Sequence, residues 1–257
     1  MTDYVKRYPD GSRRSRAADH YRWLASIGSP LLLPELRAAG RLDLRFERID
    51  GRHARPADLT LLAAHLGAVH ATAYCRELRG ARLGQPFHTA GGYVIPSFTC
   101  RRMDAVEREM RSGHVLDSTL TAGQAQRLLA RADGPAAFYK DANLRNFLIT
   151  PAGNPVTIDF DGLTLAPFGY DLAKLVVSLA MTYGPLPAEL IAGALNGYNT
   201  AVAAQTAEVP DVTWDELMNW AEIHHILTSR YAADGRYPCR WNEGRPSTRL
   251  TGPPRWP

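Results

Sequence analysis

The chain has 257 residues and a formal net charge of +4, a length that fits one large domain or two small ones sharing a core. Hydrophobic residues at 45% and charged residues at 22% exclude a disordered or collagen-like chain, and three scattered cysteines (Cys75, Cys100, Cys239) exclude a disulfide framework or a zinc site. Of 30 basic residues only Lys6, Lys140 and Lys174 are lysine, leaving 27 arginines; an arginine-rich coding bias accounts for most of this imbalance, and it makes each lysine worth locating.

In chain order, residues 1–14 are charged and carry no apolar core, so they read as no secretory signal. Tyr4 to Tyr8 alternates like a short strand, Pro9-Asp10-Gly11 turns the chain, and Ser15 to Ala25 reads as a helix ending near Gly28 and Pro30. Leu42 to Ile49 alternates again and closes at Asp50-Gly51. Pro56 to Glu77 is a long amphipathic helix with apolar residues at 59, 62, 66, 69 and 73. Residues 80–100 are glycine-rich and irregular, and Asp104 to Arg111 is a short charged helix. Thr121 and Gln124 form a capping box for a helix over Ala125 to Ala132. Ala136 to Tyr139, Phe147 to Thr150 and Val156 to Phe160 are short strands around a loop. Tyr170 to Thr182 and Ala188 to Gln205 read as buried helices, Thr213 and Glu216 cap another to about Ser229, and Tyr237 to Pro257 is a Pro/Arg-rich tail without a period. No window reaches the ~18–20 apolar residues of a membrane span, so a cytoplasmic chain with no membrane partner is expected. The basic residues are dispersed and no nucleic-acid signature occurs, so no nucleic-acid partner is expected either.

The chemistry lies between residues 139 and 161. Asp141 is followed five residues later by Asn146, both in a loop between apolar strands, and Asp159 ends the next strand. Two carboxylates and an amide oxygen can thus be aimed at one point. Hard oxygen donors of this kind suit Mg²⁺, which is held by one or two protein groups together with nucleotide phosphates. The remaining carboxylate can orient a hydroxyl and accept its proton, which completes the parts of a phosphoryl-transfer site. Other candidates carry less. His224 and His225 are adjacent on one apolar helix and face different sides of it, which favours packing or a polar contact over a metal site. The cysteines have no nearby His/Asp pattern, and Gly91-Gly92 lacks the strand–helix context of a phosphate cradle.

Here the sequence resembles the aminoglycoside phosphotransferase family, the small-molecule branch of the protein-kinase-like fold. The family's loop H-G-D-x-H-x-x-N, its strand ending I-D-F/W and its glycine-led D-L-A helix start match Asp141, Asn146, Ile158-Asp159-Phe160 and Gly169-Tyr170-Asp171-Leu172-Ala173. The resemblance implies an α+β, bilobal fold: a reduced N-terminal nucleotide lobe with hinge over 1–52, a helical catalytic and acceptor lobe over 53–236, and an irregular tail over 237–257. It implies that Asp141 is the catalytic base, that Asn146 and Asp159 hold Mg²⁺, and that Asp171 braces the catalytic loop, with Tyr139 packing beneath it in place of the family's histidine. It also implies that Lys6 contacts the phosphates of ATP or GTP and that Glu47, Arg48 and Ile49 form the hinge that pairs with the purine. Asn143 stands where protein kinases place a phosphate-binding lysine, so Lys140 or Arg145 is expected to supply that charge. The helix that normally carries the acid partner of the strand lysine has Ala17, Ala18 and Asp19, so Asp19 is the expected partner of Lys6 and His20 only a neighbour.

Only five residues precede Lys6, where the fold has two strands and a glycine-rich turn. This reads as a reduced lobe or a coding start further upstream. Asp161, Asp215 and Glu222 are the acidic candidates for meeting an acceptor. Three functions follow: a kinase of small hydroxylated molecules such as antibiotics or other natural products; a kinase of Ser/Thr in a peptide precursor, with residues 80–115 as part of a groove; and a non-catalytic kinase-like binding protein.

Overall fold

The computed structural model describes residues 3–246. The small lobe is β1 (Tyr4–Arg7), α1 (Gly11–Ile27), β2 (Leu36–Ala39) and β3 (Asp43–Phe46), with an antiparallel sheet of order β1-β3-β2 in which Lys6 pairs with Leu44. α1 begins four residues earlier than its apolar pattern suggests. The Asp10 side chain accepts the Arg13 N–H, so the expected turn is in fact a helix cap.

β4 (Arg52–His53) already belongs to the large lobe, since Arg52 pairs with Ile149. The crossing between lobes therefore falls at residues 49–51, just ahead of the expected boundary. Next come α2 (Leu59–Arg76), a two-stranded hairpin of β5 (Phe87–His88) and β6 (Val94–Ile95), α3 (Thr99–Arg111) and α4 (Ala122–Ala130), the last opened by the Thr121/Gln124 capping box. β7 (Ala136–Tyr139) leads into the loop at 140–146, β8 (Phe147–Ile149) and β9 (Pro155–Thr157) lead out of it, and β10 (Thr164–Pro167) returns to pair with β7. α5 (Tyr170–Tyr183), α6 (Ala188–Ala203), α7 (Trp214–Ala233) and the short α8 (Trp241–Gly244) complete the lobe.

α5 is buried along almost its whole length, as its apolar run requires. It runs through the middle of the large lobe, packed against α2, α7, α8 and β10. α2 packs along α6, and Gly67 permits the approach: a Cβ there would run into the carbonyl of Tyr198. α3 packs on α4 and α7 through one buried face, carried by Arg102, Val106 and Glu109. The tail departs from expectation up to Pro246. The Cys239 N–H donates to the Met181 carbonyl, and Trp241 on α8 is buried with its indole N–H on Glu222 Oε1 at 2.8 Å. The rest of the tail lies outside the described residues. No described helix is long and apolar enough to cross a membrane.

Candidate active site

The site forms where the loop after β7, the turn after β9 and strand β1 meet. Asp171, at the start of α5, holds the loop backbone: its Oδ2 accepts the Lys140 N–H at 3.3 Å and its Oδ1 the Ala142 N–H at 3.0 Å. Asp171 is itself buried, with His70 Nε2 3.6 Å away. The Tyr198 hydroxyl accepts the Gly169 N–H at 3.0 Å and shares a 2.9 Å hydrogen bond with His70 Nδ1. Residues from α2, α5 and α6 thus fix one stretch of loop.

Asp141 and Asp159 both have left-handed backbones, with φ of 62° and 65°. Such positions cost an L-residue free energy and persist where the surroundings over-determine them. At Asp141 one such restraint is the Asn146 amide, which donates to the Asp141 carbonyl at 2.8 Å. With its Nδ2 spent there, Asn146 keeps Oδ1 as an acceptor. The Asp141 carboxylate is half open to solvent, and its Oδ1 accepts the Tyr139 hydroxyl at 3.0 Å and faces Lys174 Nζ at 3.5 Å. Tyr139 is braced in turn by Tyr170 at 5.1 Å, by His224 stacked at 5.8 Å and by the buried guanidinium of Arg102 at 4.9 Å from its ring.

Lys6 reaches across from β1 to Asp159 Oδ1 at 2.6 Å and Asp161 Oδ1 at 2.9 Å. Burial opposes the charge on Lys6, yet the two carboxylates outweigh it and raise the ammonium above its ordinary range. The same contact, against burial, holds the Asp159 carboxyl below the usual carboxylate range. Asp19 is not the partner of Lys6: it pairs with Arg22 at 2.9 Å, and the acids on Lys6 come from the turn after β9. His20 takes a different part. It is buried, and its Nδ1–H donates to the Phe160 carbonyl at 2.9 Å, fastening α1 to the turn that carries both acids. Burial pushes its pKa down, which keeps the ring neutral.

Of the two residues expected to bring charge to a phosphate, Lys140 is spent on backbone carbonyls. The Lys140 side chain turns inward, donating to the Ile158 carbonyl at 2.6 Å and the Asp159 carbonyl at 3.1 Å, and burial lowers its pKa to about 8. Arg145 is exposed, and its guanidinium has no hydrogen-bond or ion-pair partner among the described residues. Glu222 lies away from the interlobe cleft, in the lining of a cavity it shares with Asp215. It is buried, with Oε1 on Trp241 and on Arg245 Nε at 2.7 Å, and Oε2 on the Thr119 N–H at 3.2 Å. Asp215 is exposed at the start of α7 and lines that cavity with Thr119, Met218 and Trp241.

Between the lobes is a cleft of about 320 Å³ lined by Lys6, Phe46, Glu47, Arg48, Ile49, Leu148, Ile158 and Asp159, among others. It joins the expected hinge to Lys6 and Asp159. Among the described residues no group of three or more His, Cys, Asp and Glu side chains forms a metal cage. The cleft itself offers the carboxylate of Asp159; Asn146, whose backbone carbonyl accepts the N–H of the neighbouring Ile158, keeps an Oδ1 with no partner among the described residues, and both are oxygen donors of the type Mg²⁺ shares with phosphates.

The family model of the phosphotransferase enzyme family matches residues 4–209, from β1 past the end of α6. The chain belongs to that family. Solved structures agree in fold. An aminoglycoside-3'-phosphotransferase of type VIII is 19% identical, with 87% of this chain and 84% of that one covered and a TM-score of 0.52. A choline/ethanolamine kinase family protein from Mesorhizobium loti is 16% identical over 90% and 78% of the two chains, with a TM-score of 0.56. An aminoglycoside phosphotransferase from Streptomyces rimosus, solved with ADP and streptomycin, is 14% identical over 88% and 87%, with a TM-score of 0.55. No curated protein sequence matches the chain. The phosphotransferase fold here is the bilobal, protein-kinase-like one, with a small strand-rich lobe and a helical lobe.

Sequence reasoning missed two residues of this phosphotransferase's site. These are His20, which reads in the sequence only as a neighbour of Asp19, and Lys174, to which no motif gives a role. Each meets its partner from far along the chain, so no local spacing marks it.

Proposed function

We propose that this phosphotransferase transfers the γ-phosphoryl group of ATP or GTP to a hydroxyl of a small molecule, of the natural-product or antibiotic kind, in the cytoplasm. The observation that carries the reading is that Lys6 meets Asp159 in the cleft lined by the hinge residues Glu47, Arg48 and Ile49, while the Asn146 backbone carbonyl accepts the N–H of Ile158 beside Asp159 and the Asn146 amide donates to the Asp141 carbonyl. The nucleotide lies in this cleft between the two lobes, its purine against the hinge and its phosphates toward Lys6. Asn146 Oδ1 and the Asp159 carboxylate hold Mg²⁺, which when bound neutralises charge on the transferring phosphoryl group. Asp141 orients the acceptor hydroxyl and takes its proton as the oxygen attacks phosphorus. Asp171 and Tyr139 keep Asp141 in place. Asp161 shares Lys6 with Asp159 and borders the acceptor side.

The acceptor class rests on relatives: the solved structures of similar fold include phosphotransferases of aminoglycosides and macrolides and kinases of choline and ethanolamine. The test is nucleotide turnover with Mg²⁺ against a panel of hydroxylated compounds, including aminoglycosides, macrolides, choline and serine-containing peptides. The expected outcome is phosphorylation of a small-molecule acceptor by the wild type and a loss of at least 100-fold in Asp159→Ala, with the fold intact by circular dichroism. Full activity in Asp159→Ala overturns the site. Phosphate on a peptide alone selects the peptide-kinase reading, and absence of nucleotide binding at millimolar concentration by calorimetry selects a non-catalytic kinase-like protein.

A further inference from the structure

All three lysines of the chain lie at one site. Lys6 bridges Asp159 and Asp161, Lys140 caps the carbonyls of Ile158 and Asp159, and Lys174 faces Asp141. The other 27 basic residues are arginine. Where any cation serves, this chain uses a guanidinium. Lysine stands where a compact ammonium on a thin stem is required and a planar fork has no room. Two of the three positions have an evident task. Lys174 is the one left to explain.

Lys174 lies on α5 one turn beyond Asp171 and has a side chain only 8% exposed. Burying an ammonium costs several kcal/mol unless it is paired, and a leucine or methionine would fill the same space without that cost. Its one carboxylate within 4 Å among the described residues is Asp141, an ion pair at 3.5 Å, and its side chain makes no hydrogen bond there. The contact is to Oδ1, the same oxygen that accepts the Tyr139 hydroxyl. Oδ2 has no partner among the described residues. One face of α5 therefore holds the loop twice, by backbone through Asp171 and by side chain through Lys174.

We infer that Lys174 is a positioning residue for Asp141: with Tyr139 it occupies Oδ1, fixing the carboxylate so that Oδ2 is the oxygen that takes the proton from the attacking hydroxyl. This rests on the proposed function in taking Asp141 as the proton acceptor, but the pairing itself does not.

The experiment uses the full-length protein with ¹⁵N-labelled lysine, which gives three side-chain ammonium resonances, assigned by Lys→Arg variants. Asp141→Asn is expected to move the Lys174 resonance most, and Asp159→Asn that of Lys6. A Lys174 resonance unmoved by Asp141→Asn overturns the pairing, whatever the activity. The second arm measures phosphate release from Mg·ATP with water as acceptor, so that no acceptor need be known. Lys174→Met is expected to lower kcat about 10- to 100-fold, with KM for ATP within twofold of wild type. Lys174→Arg, which keeps the charge but not the shape, is expected to recover less than a tenth of that loss. A thermal melt excludes unfolding as the cause. Wild-type kcat in Lys174→Met, or full recovery in Lys174→Arg, overturns the positioning role. If the wild type releases no more phosphate than Asp159→Ala, the function reading falls, and the resonance arm alone decides the pairing.

Discussion

Lys140 shows how much of this site is held by bonds to backbone rather than between side chains. Its ammonium is the donor for two successive carbonyls, Ile158 and Asp159, at the point where the chain leaves β9 and enters the left-handed turn. Lys140→Met removes the burial cost of the charge but leaves both carbonyls without their donor. A buried polar group stranded in this way costs about 1–3 kcal/mol, so urea denaturation of Lys140→Met should show a loss of that order. Mg·ATP affinity should fall as well, because Asp159 loses the support beneath it. A variant as stable as the wild type would mean that water replaces the ammonium. At this scale the sequence was legible where chemistry dictates residue type and spacing: Asp141, Asn146 and Asp159 stand close along the chain and were found together. It was illegible where the partner is remote. His20 meets Phe160 across 140 residues, and the acids on Lys6 come from 153 and 155 positions away, so Asp19, nearer to hand, looked the better partner.

Elements carry the loop through contacts that no motif records. Tyr198 on α6 reaches Gly169 and His70, His70 on α2 faces Asp171, and Asp171 holds the loop, so the spacing of α2 from α6 is felt at Asp141. Gly67 sets that spacing. Gly67→Ala must push the Tyr198 carbonyl aside, and overpacking of this kind costs typically about 1–3 kcal/mol. The expected outcome is a lower melting temperature together with a lower kcat at unchanged nucleotide affinity; a variant with wild-type kcat would show that the α2–α6 contact is stability alone. Helices with strong periods were readable with small errors at their ends, and the Thr121 and Thr213 boxes were readable outright. Of the short strands, β1, β3, β7, β8 and β9 fall where their runs place them, and the others were not legible. β2, β4 and β10 have two to four residues each and owe their existence to ladders with β3, β8 and β7, which local propensity does not encode. Val156 to Phe160 looked like one strand, but the ladder stops at Thr157, because the Ile158 N–H turns to the Asn146 carbonyl and Asp159 adopts the left-handed conformation.

The whole molecule keeps several histidines neutral, and this gives it a predictable response to acid. The two lobes are interlocked through α1: Trp23 donates to Glu77 Oε2 at 2.8 Å, Arg76 bonds the Ile27 carbonyl, and His20 holds Phe160. His224 and His225 bond the carbonyls of Tyr170 and Leu116 on either side of α7. Burial lowers the pKa of His20, His224 and His225, and that of His65 to about 4 by burial and then by repulsion from His70. Each folded pKa lies below the ordinary value of 6.5, so the unfolded chain binds more protons than the folded one in the interval between them. Neutral in both states above pH 6.5, these histidines cost stability as pH falls below it, and for His65 the loss continues down to about pH 4. One pKa unit corresponds to about 1.4 kcal/mol, so His65 alone accounts for at most about 3 kcal/mol. His65 Nε2 is buried without a partner, so His65→Leu sacrifices no hydrogen bond at that atom. Urea midpoints at pH 7, 5.5 and 4.5 should fall steadily for the wild type and less steeply for His65→Leu, with the two proteins closest in stability at the lowest pH if leucine packs less well than neutral histidine at pH 7. Parallel pH profiles for the two proteins would show that His65 is solvated and that the acid response comes from other groups.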